Sequence, residues 1–192
     1  PVEADGESRQ GTPAEHPEHL ILSGPEHLRI TGANGSGKTT LLEAIAHAKD
    51  PEYRSPVQPA YRVDYCLEGA YIPQRILDPQ LTLLQSVQRT NPGVSEQHLR
   101  DQLARLLFRR ESVHHKTGEL SGGERFRAAV AQVLLADPVP QLLMLDEPTN
   151  NLDISSVDWL VQALEAYTGA LIVVSHDEDF CRRIRIDPTL AL

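Results

Sequence analysis

The eight residues Gly32–Thr39, GANGSGKT, constrain this chain more than any other stretch, because they fit G-x-x-x-x-G-K-[ST] directly after the apolar run HLRIT. Leu41, Leu42, Ile45 and Ala46 then recur at helical spacing, so the loop is expected to lead from a strand into a helix. Glycines let consecutive backbone amides turn inward around an anion, and the N-terminus of the following helix adds partial positive charge. In such a loop Lys38 can reach the β- and γ-phosphates of a nucleotide, and the Thr39 hydroxyl can sit on Mg2+. Without a ligand, the same residues make a tight strand-to-helix turn.

Composition narrows the remaining choices. With 192 residues, 40% of them hydrophobic, the chain suffices for one well-packed domain. The opening stretch, PVEADGESRQGTPAEHPEHL, has almost no large apolar side chains, so residues 1–19 read as a flexible linker or tail and residues 20–192 as the domain. A formal charge of −9, from 27 acids against 18 Lys and Arg, excludes the generally basic surface of sequence-independent phosphate binders, and no DNA partner is expected. No stretch approaches the roughly 20 apolar residues of a membrane-spanning helix, so no direct membrane insertion is expected. Cys66 and Cys181 lie far apart without metal-site spacing and read as plain thiols of a reducing, cytoplasmic compartment. Because position 1 is Pro and no secretory signal precedes the domain, the chain reads as an excerpt of something longer.

The order of elements points to an α/β fold. LILS and HLRIT, separated by Ser23-Gly24-Pro25, read as two adjacent strands. Residues 48–60 carry three prolines and read as a surface connection, followed by short strands at Tyr61–Val63 and Gly69–Ile72. From Leu81 to about Phe108 the period becomes helical, with Leu99, Leu103, Leu106 and Leu107 on one stripe and Ser95 as the cap. The last third alternates: a helix over 123–135, a strand over 142–145, a helix over 155–166 and a strand over 170–174. Both of these strands are continuous apolar runs, as in a parallel sheet covered by helices on both faces.

Several further residues carry chemistry in this order. In QLLMLDEP a buried strand ends in two carboxylates: Asp146, placed to hold Mg2+ through its water shell, and Glu147, placed to orient or deprotonate an attacking water. Alternatively one acid caps the next loop and the other is solvated. ELSGGE sets Gly122 and Gly123 at the start of an amphipathic helix with Ser121 as its cap, either an ordinary capped helix or a second anion site completed by another domain. Gln74, after GAYIP, can reach a metal or water or be a surface amide. His176, after LIVVS, can touch a γ-phosphate or start a helix beside Asp177.

Taken together, these segments resemble the ATP-binding cassette (ABC) ATPases. GANGSGKT looks like their Walker A motif and QLLMLDEP like Walker B. Gln74 falls at the Q-loop, LSGGE matches the family signature, NNLD at Asn150–Asp153 the D-loop and SHD at Ser175 the H-loop. DEPTNNLD followed by SHDEDF is similar to the ABC-F subgroup, whose members act on ribosomes and usually hold two cassettes; this chain resembles one of them, the second.

That resemblance implies an α/β P-loop NTPase fold of the ABC ATPase type, with a mostly parallel sheet and an inserted helical subdomain over about 81–135. It implies ATP and Mg2+ as cofactors. Gly32, Ala33, Asn34, Gly35, Ser36, Gly37, Lys38, Thr39 and Thr40 would wrap the triphosphate, and Thr39, Gln74 and Asp146 would serve the metal. Glu147 would be the catalytic base, with His176 steadying the γ-phosphate and Gln74 assisting. Ser121, Gly122, Gly123 and Glu124 would close over the nucleotide of a second cassette, paired head to tail, so that ATP is hydrolysed only in the pair. The full-length protein would act on the ribosome in translation or antibiotic protection; the alternative is the ATPase subunit of a membrane transporter. The family's adenine-stacking aromatic has no counterpart before Tyr53; either His16 or His19 substitutes or the excerpt begins too late to include it. Arg100, Arg105, Arg109 and Arg110 would either face ribosomal RNA or form a solvated helix face with Asp101 and Glu111.

Overall fold

The computed structural model describes residues 22, 25–48, 50, 52, 69–72, 77–108, 111–150, 152–186 and 189–192. Five strands form one sheet: β1 (His27–Thr31), β2 (Gly69–Ile72), β3 (Leu142–Asp146), β4 (Ala170–Val174) and β5 (Thr189–Ala191). Their order is β2-β3-β4-β1-β5, and every pairing is parallel. The helices are α1 (Lys38–Ala46), α2 (Leu83–Thr90), α3 (Glu96–Arg105), α4 (Gly122–Leu134), α5 (Ile154–Glu165) and α6 (Glu178–Arg183).

Side-chain alternation divides the sheet into two apolar faces. Leu28, Ile30, Leu142, Met144, Ile172 and Val174 pack with Leu42 of α1 on one side. Leu143, Leu145, Leu171 and Val173 pack on the other with Trp159 and Leu160 of α5, Phe180 and Cys181 of α6, and the helical segment. Each fully buried Leu, Ile or Val contributes about 1.5–3 kcal/mol relative to its exposed form. Covering both faces explains why β3 and β4 read as unbroken apolar runs.

The helical segment between β2 and β3 is built by local capping. Thr82 caps α2 in a reciprocal box with Gln85, and the Ser95 hydroxyl accepts from the His98 amide at 3.3 Å, as its place in the sequence suggests. The apolar stripe on α3 is shorter than its leucines imply. The helix ends at Arg105, Leu106 is its cap, and Leu107 turns to φ 61° with 63% of its surface exposed. Phe108 N–H donates to the Leu103 carbonyl and Leu107 N–H to that of Ala104, so a Schellman closure stops the helix with leucine where glycine is usual.

Other expectations need adjusting at their edges. Leu22 stands outside any strand, so LILS does not form one at its only described apolar position. Strand β5 is an addition that no apolar run signalled, and α6 is the helix that a start beside Asp177 allowed for. The expected strand Tyr61–Val63, the residues 1–19, Cys66, Gln74, Arg109, Arg110 and Asn151 lie outside the described residues.

Candidate functional site

Carboxyl ends of parallel strands are where open α/β sheets bind ligands. Here the neighbouring strands β3, β4 and β1 bring Asp146, Glu147, His176 and the Gly32–Thr39 loop to one edge.

The loop is shaped by its glycines. Gly37 is the N-cap of α1 at φ 98°, and no side chain caps the helix, so its first amides face the loop. Gly32 adopts φ 152°, and a Cβ there would fall 2.6 Å from Ser36 Oγ and 2.7 Å from the Leu192 carbonyl oxygen. Residues Ala33, Asn34, Gly35 and Ser36 are exposed along the loop, with Thr40 half-buried behind them. Lys38 is buried beneath them, its Nζ donating to the carbonyls of Gly32 at 2.8 Å and Ala33 at 2.9 Å. Among the described residues no carboxylate lies within ion-pair distance of it. A largely desolvated ammonium held only by carbonyls, beside an uncapped helix start, makes the loop electropositive.

Thr39 joins this loop to β3, its hydroxyl donating to Asp146 Oδ2 at 2.6 Å. These are hard oxygen donors of the kind Mg2+ takes, and Mg2+ usually uses only one or two carboxylates with phosphate and water completing its shell. The pair therefore fits that ion even though no group of three or more metal-ligating side chains occurs among the described residues.

Glu147 follows at φ 44°, a left-handed conformation unusual for a residue with a Cβ. Its amide donates to the Val174 carbonyl at 2.8 Å and its carbonyl accepts from the Asn150 amide at 3.1 Å, which hold the backbone there. The side chain, only 23% exposed, puts Oε1 3.3 Å from Nε2 of His176. His176 lies between the buried Ser175 and Asp177, whose carboxylate accepts from the Phe180 amide and caps α6. His176 thus precedes the cap of α6, as its helix-start reading expected, and also lies beside Glu147.

Ser121 and Glu124 close a reciprocal capping box at the start of α4: the Ser121 amide donates to Glu124 Oε2 at 3.0 Å and the Ser121 hydroxyl oxygen accepts from the Glu124 amide at 3.3 Å, while the hydroxyl also donates to Glu124 Oε2 at 2.7 Å. The Ser121 bonds hold the Glu124 carboxyl below the usual carboxylate range. Glu124 is thus engaged with its own helix. Gly122 is open to solvent, while Gly123 sits against Leu152 and Ser156, where a Cβ would find ordinary contact. Among the described residues no hydrogen bond joins Ser121, Gly122, Gly123 or Glu124 to the Gly32–Thr40 loop.

Arg29, on β1, escaped the sequence reading although it contacts the site. Its guanidinium donates twice to the Ser175 carbonyl, at 3.1 and 2.9 Å. The available signal was a cation alternating with Leu28 and Ile30 in HLRIT, a strand with apolar side chains on one face alone. Of the four arginines considered for RNA, Arg100 is engaged with Glu96 at 2.6 Å and with His114, as on a solvated helix face.

The family model described as ABC transporter matches residues 18–150. The chain is 37% identical over 166 residues to the tylosin resistance ATP-binding protein TlrC of Streptomyces fradiae, covering 86% of this chain and 28% of that protein. It is 35% identical over 178 residues to ATP-binding cassette sub-family F member 3 of Mus musculus, covering 88% of this chain and 24% of the relative. The chain therefore spans under a third of the length of either protein. Among solved structures, a dimeric ATP-binding cassette in a post-hydrolysis state with ADP and Pi shares its fold at TM-score 0.65 and 24% identity, covering 85% of this chain and 80% of that one. A model of ribosome-bound archaeal Pelota and ABCE1 matches at TM-score 0.59 and 27% identity, over 81% of this chain and 26% of that one. No helix among the described residues is long and apolar enough to cross a membrane. The nucleotide-shaped loop, the acidic end of β3 and the match across more than half its length agree: the chain belongs to the ATP-binding cassette family.

Proposed function

We propose that this chain is an ATP-hydrolysing cassette of an ABC-F protein, working in a head-to-tail pair on the ribosome. The observation that carries the hydrolytic part is the convergence of Lys38, Thr39, Asp146, Glu147 and His176 on one sheet edge. The loop amides and Lys38 bind and orient the phosphates, and Thr39 and Asp146 hold Mg2+, with Gln74 assisting. When bound, the ion neutralises charge building on the transferred phosphoryl group. Glu147 accepts a proton from the attacking water, and His176, 3.3 Å away, steadies the γ-phosphate side of the reaction. Ser121, Gly122 and Gly123 serve the partner cassette's nucleotide, a role that the open, solvent-exposed Gly122 supports. The model of ribosome-bound archaeal Pelota and ABCE1, which is similar to this chain, supports the ribosome as partner, and a ribosomal partner implies a cytoplasmic protein.

Glu147→Gln tests the reading, since the amide keeps the shape of the carboxylate and loses the base. The variant should bind Mg-ATP while hydrolysing at least about 100-fold more slowly. In sedimentation it should shift from monomer to dimer with Mg-ATP if the chain completes both sites with a copy of itself, and stay monomeric with ATP bound if it needs a different cassette. The full-length variant should co-sediment with ribosomes in Mg-ATP. Unchanged hydrolysis would reject Glu147 as the base; no ribosome association would reject the partner.

A further inference from the structure

His27 and Arg29 leave β1 on the face opposite Leu28 and Ile30, and both end on carbonyls that bracket α6. His27 Nδ1 donates to the Ile184 carbonyl, the cap of α6, at 2.7 Å. Arg29 donates through Nε and Nη2 to the Ser175 carbonyl, and Nη2 also meets Glu178 Oε1 at 2.8 Å. The Arg29 side chain is 12% exposed, so this fork works largely out of water, where its geometry is best defended. Ser175 is buried, immediately precedes His176, and its hydroxyl oxygen accepts from the Asp177 amide at 3.1 Å. The His176 ring itself is 57% exposed, so little packing constrains it. Its position follows from the peptide units on either side, and Arg29 holds one of them.

We propose that Arg29 is a positioning residue for ATP hydrolysis, fixing the Ser175 carbonyl and Glu178 so that His176 stays within reach of Glu147. The inference rests on the assignment of Glu147 and His176 made above. Arg29 touches neither the phosphate loop nor the Thr39–Asp146 pair, so its loss should leave nucleotide binding intact. A displacement of about 1 Å at reacting groups can cost up to about 100-fold in rate, enough for a remote strut to register in turnover.

The test is steady-state ATPase kinetics of the full-length protein with fluorescent-ATP binding measured alongside. Arg29→Leu should lower kcat about tenfold while KM and nucleotide affinity stay within about twofold. Arg29→Lys, which can keep one of the two bonds to Ser175, should recover part of the loss, and Glu178→Gln should show a smaller fall. In a His176→Ala background Arg29→Leu should add less than about twofold, because the strut then has nothing to position. An unchanged kcat in Arg29→Leu, an equal fall in both backgrounds, or a parallel loss of affinity would overturn the proposal. Should Arg29→Leu fail to fold, Glu178→Gln decides, and an unchanged kcat there overturns it. If His176→Ala hydrolyses at the unaltered rate, the assignment of His176 fails and this inference with it. If His176→Ala is slow but Arg29→Leu is not, only the positioning role fails.

Discussion

Thr39 and Asp146, 107 positions apart in sequence, share a hydrogen bond of 2.6 Å that ties the loop after β1 to the end of β3. Thr39, in the first turn of the helix that follows β1, and Asp146, the last residue of β3, meet because β4 alone lies between β3 and β1 in the sheet. The hydroxyl satisfies the carboxylate at the place where a divalent ion would take both oxygens. Asp146→Asn should therefore abolish the gain in ATP affinity that Mg2+ gives, which a titration of fluorescent ATP with and without MgCl2 reads directly. Folding stability should change by less than about 0.5 kcal/mol, as expected for a site near the surface; a fully retained Mg2+ response would contradict the assignment.

Gly32→Ala would force a methyl group against Ser36 Oγ and the Leu192 carbonyl in a backbone conformation that side chains rarely adopt. Overpacking of this kind costs about 1–3 kcal/mol. Urea denaturation should register that loss, and ATP binding should weaken with it because the loop must move to admit the methyl. Gly35 and Gly37 have no neighbour for such a Cβ, so their alanine variants should suffer from φ alone.

Trp159 fastens α5 to the end of α3. Its Nε1 donates to the Leu106 carbonyl at 2.6 Å, Phe108 meets it edge-on at 6.1 Å, and the Arg127 guanidinium lies over its ring at 4.9 Å. Burial out of water lowers the Arg127 pKa, an expense the two aromatic rings partly offset. Trp159→Ala should lose about 3–5 kcal/mol, and Trp159→Phe, which keeps most of the ring and strands the Leu106 carbonyl, about 1–2 kcal/mol. Chemical denaturation followed by circular dichroism separates the two.

Tyr167 predicts an alkaline limit. Burial pushes its hydroxyl up to about 12 from the usual 10, and that hydroxyl donates to the Pro140 carbonyl at 2.7 Å. Above pH 10 the unfolded chain releases this proton while the folded chain keeps it, so the unfolded state binds fewer protons and stability falls as pH rises. The contribution is present below pH 10 and is lost between pH 10 and about 12. Comparing urea midpoints at pH 9, 10 and 11 isolates it: Tyr167→Phe should be less stable at pH 9 by about 1 kcal/mol, and the gap should close as pH rises. A constant gap would show that Tyr167 titrates alike in both states.

The sequence by itself determined the local pieces and their chemistry. Gly32, Gly35, Gly37 and Lys38 specify their loop because only glycine accepts those backbone angles cheaply, and the apolar runs of β3 and β4 demand a sheet covered on both faces. Ser95 and Ser121 announce helix starts because a cap acts within three residues of itself. These are short-range effects, and short-range physics is written in adjacent residues.

Only the tertiary structure decided which pieces meet. The short apolar run LILS carried the same local signal as HLRIT, yet Leu22 lies outside the sheet while the three residues of β5 pair with β1. Leu107 continues the spacing of α3 but is turned out by a closure that Phe108 and Leu103 complete. The segment HLRIT does not say what Arg29 meets; the parallel pairing of β1 with β4 brings the Ser175 carbonyl to it. Glu124, one residue of the LSGGE segment, spends its carboxylate on the Ser121 cap. Strand order, the turning out of Leu107 and the partner of Arg29 depend on which distant surfaces bury each other, and that competition runs over the whole chain at once.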